Sequence, residues 1–279
     1  MKEENEERSA RRPRASCALG RNLLRVAALL LCAAAMPAVS HAAARFGTRC
    51  QSDYQNGWRD TLPYMWNRCA GFNDELDDTD IKVFYWNLHG GKPWFSWCDA
   101  CGGGGVDDVK LFYVGTHGGA TNDTNARLVM WEQNTRALSN TDSWRFGNDG
   151  FKAAFLAQYA CETMTNTDGM LWTRWNGALK GGLQMVLGSH IKFWDSTTTD
   201  ECGEDFADGL QKGKTVKWAW LDGNSDWWED QAIAVVASGD TSTDQCHSRK
   251  DGITWQNYPD FGRLRDDHVN WWCRSRIDP

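Results

Sequence analysis

Apolar positions along the chain fall into short blocks, and their spacing sets the elements. Residues 109–114 (Val-Lys-Leu-Phe-Tyr-Val) are β-branched, aromatic and nearly continuous in apolar character, the pattern of a strand in a sheet covered on both faces. Residues 153–159, 183–188 and 232–237 read as further buried strands, 81–86 as an earlier one, and 126–131 as a short strand or hairpin arm. Between them the period becomes helical. From about Asp168 to Lys180, Leu171, Trp172, Trp175, Ala178 and Leu179 fall on one side, and Gly181-Gly182 closes the helix. Thr199 to Lys212 forms a second helix, with Thr199 or Asp200 as its cap and Phe206, Ala207 and Leu210 facing inward. Strand, helix, strand, helix, strand predicts parallel pairing, hence an α/β three-layer sandwich with a mostly parallel sheet. Residues 43–80 are polar. Their acidic run, 74–80, lacks EF-hand spacing and is expected to be a solvated loop. Residues 87–108 form a Gly- and Trp-rich connection, and the polar, Trp-rich tail after Asp240 is expected to pack on the core.

The first 42 residues have another pattern. A stretch that is basic on balance precedes the apolar run 26–36, and Ser40-His41-Ala42 offers small residues at the positions a signal peptidase reads. The run is short of the ~20 apolar residues that span a bilayer, so the expectation is a signal peptide cleaved near Ala42 and an exported protein, periplasmic or extracellular. The expected organisation is signal peptide 1–42, N-terminal segment and first strand 43–108, α/β core 109–239, and tail 240–279. Seven Lys/Arg against four Glu give the leader +3, so the total of −7 leaves the mature part at −10. Such a surface is unsuited to nucleic acid or to an anionic membrane, and no other stretch is apolar enough to cross one. The 17 Trp suit a large core and a broad aromatic groove for peptide or glycan.

Eight cysteines follow the leader: 50, 69, 98, 101, 161, 202, 246 and 273. An exported domain with so many is expected to hold disulfides, and proximity suggests Cys50 with Cys69 and Cys246 with Cys273. Cys98-Asp-Ala-Cys101 runs into four glycines rather than a helix start, which favours a local bridge over a redox centre. Cys161 paired with Cys202 stays open as an alternative. There is no H-E-x-x-H and no second C-x-x-C, so neither a metal nor another cofactor is expected.

Two strand ends carry chemistry. The strand 109–114 runs into Gly115-Thr116-His117-Gly118-Gly119, and the strand ending at Tyr159 delivers Ala160-Cys161-Glu162-Thr163. In an open parallel sheet ligands sit off the carboxyl ends of the strands, so a His and a Cys delivered there by neighbours face one crevice. A thiolate is a strong nucleophile, and an imidazole can supply the base and then the acid. A helix after Cys161, if it starts close enough, adds a favourable field. A lone His-Gly marks a turn more often than a catalytic group, and a lone buried Cys is more often core or half a disulfide. The argument therefore rests on the pair. His89-Gly90 follows another apparent strand and ranks below His117, because it precedes a Gly-rich loop 72 residues before Cys161.

Together these residues resemble the caspase-like cysteine peptidases, the group of caspases, gingipains, legumains, clostripain and separase. Their signature is an apolar strand ending in His-Gly, then an apolar strand ending in Ala-Cys or a close variant. Here these are Leu111 to Gly118 and Phe155 to Cys161, 44 residues separating His117 from Cys161. The resemblance covers roughly 109–238. It implies a caspase-like fold, Cys161 as nucleophile, His117 as general base and acid, and the N–H groups of Gly118 and Cys161 as an oxyanion hole. It also implies that the loop after the strand 183–188 helps form the substrate pocket, with Trp194 as a wall and Asp195 accepting a basic side chain.

The expected function is thus a secreted cysteine endopeptidase acting through a Cys-His dyad on peptide or protein substrates, with a basic preference. The alternative is a catalytically inactive, disulfide-stabilised domain binding peptide or carbohydrate on the same scaffold. The sequence leaves the oligomeric state undetermined.

Overall fold

A computed structural model describes residues 45–54, 61–77, 81–88, 109–122, 125–129, 135–137, 153–166, 169–225, 232–238, 243–261, 269 and 271–277, all within the unit Ala42–Pro279. The proposed leader, His89, Cys98, Cys101 and the glycines 102–105 lie outside the described residues.

The described strands are β1 (Arg45–Gln51), β2 (Ile81–Leu88), β3 (Leu111–Gly115), β4 (Gly118–Asn122), β5 (Asn125–Val129), β6 (Thr135–Ala137), β7 (Phe155–Tyr159), β8 (Met185–Ser189), β9 (Ala232–Ser238) and β10 (Trp271–Arg276). The described helices are α1 (Met65–Asp77), α2 (Leu171–Lys180), α3 (Cys202–Gln211), α4 (Val216–Gly223) and α5 (Thr243–Gly252). Seven strands form the main sheet in the order β10-β9-β8-β7-β3-β1-β2, and β4, β5 and β6 form a small separate one. The five strands from β2 to β8 pair parallel, so the mostly parallel α/β expectation holds.

The strand pattern explains the layers. Leu111, Tyr113, Phe155, Ala157, Met185 and Leu187 point to one face, where α1, α3 and α4 bring Phe72, Phe206 and Trp220. Phe112, Val114, Leu156 and Val186 point to the other, where α2 brings Leu171, Trp175, Ala178 and Leu179. Successive residues of a strand face opposite sides, so a sheet covered twice needs apolar residues at nearly every position.

Two expectations are corrected. The last strand is antiparallel: β9 pairs against β8, and β10 against β9. Two helices, α3 and α4, lie between β8 and β9, and the second carries the chain back toward the end of β8, where Trp220 Nε1 donates to the Gly188 carbonyl at 3.1 Å. The polar stretch before residue 80 is not a loop. It contains β1, between β3 and β2, and α1, which includes Asp74, Glu75 and Asp77. Its strand escaped the hydrophobic pattern because Thr48, Arg49 and Gln51 are buried and polar, with Thr48 bonded to Asn73 of α1. The tail adds an edge strand, and Trp272 stacks on Trp172 of α2 at 5.6 Å between ring centroids. The two bridges read from proximity, Cys50–Cys69 and Cys246–Cys273, are both present.

Candidate active site

The sheet register brings the two motifs together. β3 and β7 are neighbours and parallel, with Leu111 opposite Phe155 and Gly115 opposite Tyr159. Their offset of 44 residues equals the spacing of His117 and Cys161, so each lies two residues beyond the same paired position. The Thr116 N–H donates to the Tyr159 carbonyl at 3.2 Å, extending the ladder one step further. Both His117 and Cys161 are half-buried and line one pocket.

Gly118 explains how closely the segments approach. A Cβ built there would lie 2.8 Å from the Ala160 Cβ, 2.9 Å from the Cys161 carbonyl oxygen and 3.1 Å from Thr163 Cγ2. Any side chain after His117 would push the histidine strand off the cysteine turn. Glycine is required here for close approach.

Cys161 opens a turn rather than a helix. Glu162 has φ 55°, a left-handed conformation unusual for a non-glycine residue and often found where a site fixes the backbone. Hydrogen bonds to the end of β8 and the loop after it over-determine this turn: Glu162 N–H to Ile191 O at 2.9 Å and Met164 N–H to Ser189 O at 2.9 Å. Trp175 Nε1 also donates to the Thr163 carbonyl at 3.0 Å. The helix expected to supply a field at Cys161 begins only at Leu171, whose N–H is capped by Asn166 Oδ1 at 3.1 Å. Ten residues separate it from the thiol, and a helix-end field falls off within one turn, so α2 is not a source of thiolate stabilisation. Cys161 and Cys202 are both thiols, so the disulfide alternative is not realised. The Cys161 Sγ donates to the Phe193 carbonyl at 3.6 Å, a contact made by the protonated thiol.

Tyr54, just after β1, holds His117. Its hydroxyl accepts the His117 backbone N–H at 3.1 Å, lies 2.9 Å from Thr116 Oγ1, and donates to the Gln51 carbonyl at 3.2 Å. Its ring lies 5.1 Å from the imidazole, centroid to centroid, tilted by 35°. Burial pushes the phenol up to about 12, so it is neutral at any working pH.

The pocket that Cys161 and His117 line measures about 80 Å³. It is completed by Leu62, Met65, Thr116, Tyr159, Ala160, Phe193 and Asp195. Asp195 is there as expected, but its charge is matched. Oδ1 pairs with the Arg68 guanidinium of α1, and Oδ2 accepts the Tyr64 N–H at 3.2 Å. Arg68 is fully buried. It also donates from Nε to Thr199 O at 2.7 Å and from Nη2 to Trp194 O at 2.9 Å and to Thr199 Oγ1, and it lies over the Tyr159 ring at 4.3 Å. Burial works against its charge, but Tyr159 and the Asp195 carboxylate outweigh it, and its pKa stands above the ordinary value. Trp194, expected as a wall, is not among the described lining residues; it is half exposed, with its carbonyl fixed by Tyr159, Thr199 and Arg68.

Sequence reasoning missed Tyr54, Arg68, Leu62 and Met65. All four lie in the segment read as polar and irregular, and their partners are 63 residues away for Tyr54 and 127 for Arg68. Among the described residues no group of His, Cys, Asp or Glu could hold a metal ion, and no helix is long and apolar enough to cross a membrane. A family model described as "Domain of unknown function (DUF6345)" matches residues 50–275. No curated protein matches the chain.

Proposed function

The chain belongs to the DUF6345 family, a domain of unknown function, and we propose that it is a secreted cysteine peptidase of caspase-like architecture hydrolysing peptide bonds through Cys161 and His117. The observation that carries this reading is the register: one offset of 44 residues aligns β3 with β7 and sets His117 level with Cys161 at the carboxyl ends of adjacent parallel strands. The order of the motifs, His-Gly on one strand and Ala-Cys on the next, supports the caspase-like assignment. The two disulfides and the leader pattern support export, since such bridges persist in oxidising compartments.

In this mechanism His117 takes the Cys161 proton and Sγ attacks the scissile carbonyl carbon. The tetrahedral oxyanion that forms is met by the N–H groups of Gly118 and Cys161. Collapse breaks the C–N bond, and imidazolium His117 protonates the leaving amine. Water, deprotonated by His117, then attacks the thioester, which releases the carboxylate and restores the thiol. Tyr54 keeps the imidazole in place through the His117 backbone and its own ring. The rigid Cys161–Met164 turn keeps the sulfur at the pocket wall. The thiol state of Cys161 favours this reading over an inactive binding domain.

The test is alkylation of the unreduced mature protein across a pH series, with labelled sites located by peptide mass. Cys161 should react well below the ordinary thiol pKa of about 8.5, and His117→Ala should abolish that low-pH reactivity. A Cys161 that reacts only after denaturation would move the function to peptide or carbohydrate binding.

A further inference from the structure

We infer that the pocket beside Cys161 takes an uncharged, apolar side chain, so that cleavage follows residues such as leucine or norleucine rather than arginine or lysine. This rests on the peptidase reading above. Leu62, Met65 and Phe193 supply apolar walls, and Tyr159 adds a ring face. Asp195, the one carboxylate among the described lining residues, forms a neutral pair with Arg68, which is itself wholly buried and fully engaged with Thr199, Trp194 and Tyr159. A basic side chain entering here meets the dipole of a closed ion pair instead of an unopposed negative charge. It would leave a net positive charge in a mostly apolar space, where an unmatched charge is costly. An acidic side chain would likewise bring an unmatched charge into the pocket. A leucine-sized group loses only water. At about 80 Å³ the cavity holds several waters by the measure of ~10–15 Å³ each, so it has room for a branched aliphatic group.

The experiment uses peptidyl acyloxymethyl ketones of one sequence, differing only at the residue next to the warhead: leucine, norleucine, lysine, arginine or glutamate. Second-order rates of Cys161 modification are read by peptide mass for the wild type, for His117→Ala and for Leu62→Glu. Leu62 is half-buried in the loop before α1, and its replacement by glutamate adds an unmatched carboxylate to the pocket. The leucine and norleucine probes should react at least tenfold faster than lysine and arginine, and Leu62→Glu should narrow or invert that ratio. Equal rates, or a faster basic probe with labelling still dependent on His117, would overturn the pocket assignment while leaving the peptidase reading intact. Labelling by none of the probes in a His117-dependent manner would overturn both.

Discussion

Replacing Arg68 by methionine probes the strut that holds the pocket loop. In the structure its guanidinium pairs with Asp195, whose side chain is only 9% exposed, and donates to the Thr199 and Trp194 carbonyls. The Trp194 carbonyl keeps two donors without it, Tyr159 Oη at 2.8 Å and Thr199 Oγ1 at 2.8 Å. The Thr199 carbonyl keeps only the Cys202 N–H at 3.3 Å, and the Asp195 carboxylate keeps only the Tyr64 N–H at 3.2 Å. Removing one partner of a buried pair costs about 3–5 kcal/mol, because the other charge loses its counter-charge. Methionine keeps most of the packing on Tyr159, so that range needs little addition for a cavity. For a domain of this size each kcal/mol moves Tm by about 2–4 °C, which puts the expected loss at about 6–20 °C. Asp195→Asn should cost less, about 1–3 kcal/mol, since the guanidinium keeps three acceptors and the amide keeps the shape. The double variant should cost less than the sum of the two. Differential scanning calorimetry of the mature protein reads all three. A Tm of Arg68→Met within 2 °C of the wild type would refute the reasoning, and with it the neutral pocket.

Other positions give independent checks. Gly118→Ala forces a methyl within 3 Å of both Ala160 and the Cys161 carbonyl, and overpacking of this kind costs about 1–3 kcal/mol; it should lower Tm and suppress low-pH alkylation of Cys161 together. Tyr54 should betray itself at high pH. Its phenol is raised by burial to about 12 from an ordinary 10, so the unfolded chain loses its proton first. That stabilisation is full below pH 10 and is lost as pH rises toward 12, at 1.36 kcal/mol per unit or about 2–3 kcal/mol in all. Denaturant titrations at pH 9 and 11.5 should show the wild type losing more stability than Tyr54→Phe, and parallel losses would place Tyr54 outside the buried network.

The residues themselves show why some of this was legible and some not. β3 and β7 declare themselves because both faces of each are covered, leaving nearly continuous apolar runs up to His117 and Cys161. β1 sits between β3 and β2 yet reads as polar, since Thr48, Arg49 and Gln51 are buried there, Thr48 against Asn73 of α1 and Arg49 against Gln51, contacts that no hydrophobic periodicity encodes. Strand direction is equally silent: Ala232 to Ala237 has the composition of a parallel strand, and only the two helices before it reverse it. At the site, the His117–Cys161 pair was visible from residue type and position at strand ends. The groups that shape it, Tyr54 and Arg68, act through contacts 63 and 127 residues away. Asp195 was found at the pocket, but its ion pair with Arg68 was not, because Arg68 lies 127 residues away in the segment read as polar.

The most direct measurement is cleavage of an unfolded, alkylated protein substrate by the purified mature chain, with new amino termini identified by mass spectrometry. The wild type should generate new termini, Cys161→Ala should generate none, and His117→Ala should be slower by about 10²–10⁴, the range a positioned acid–base group supplies. Cleavage that persists undiminished in Cys161→Ala, or its absence from a wild type whose Cys161 is alkylated at low pH, would contradict the Cys161–His117 peptidase.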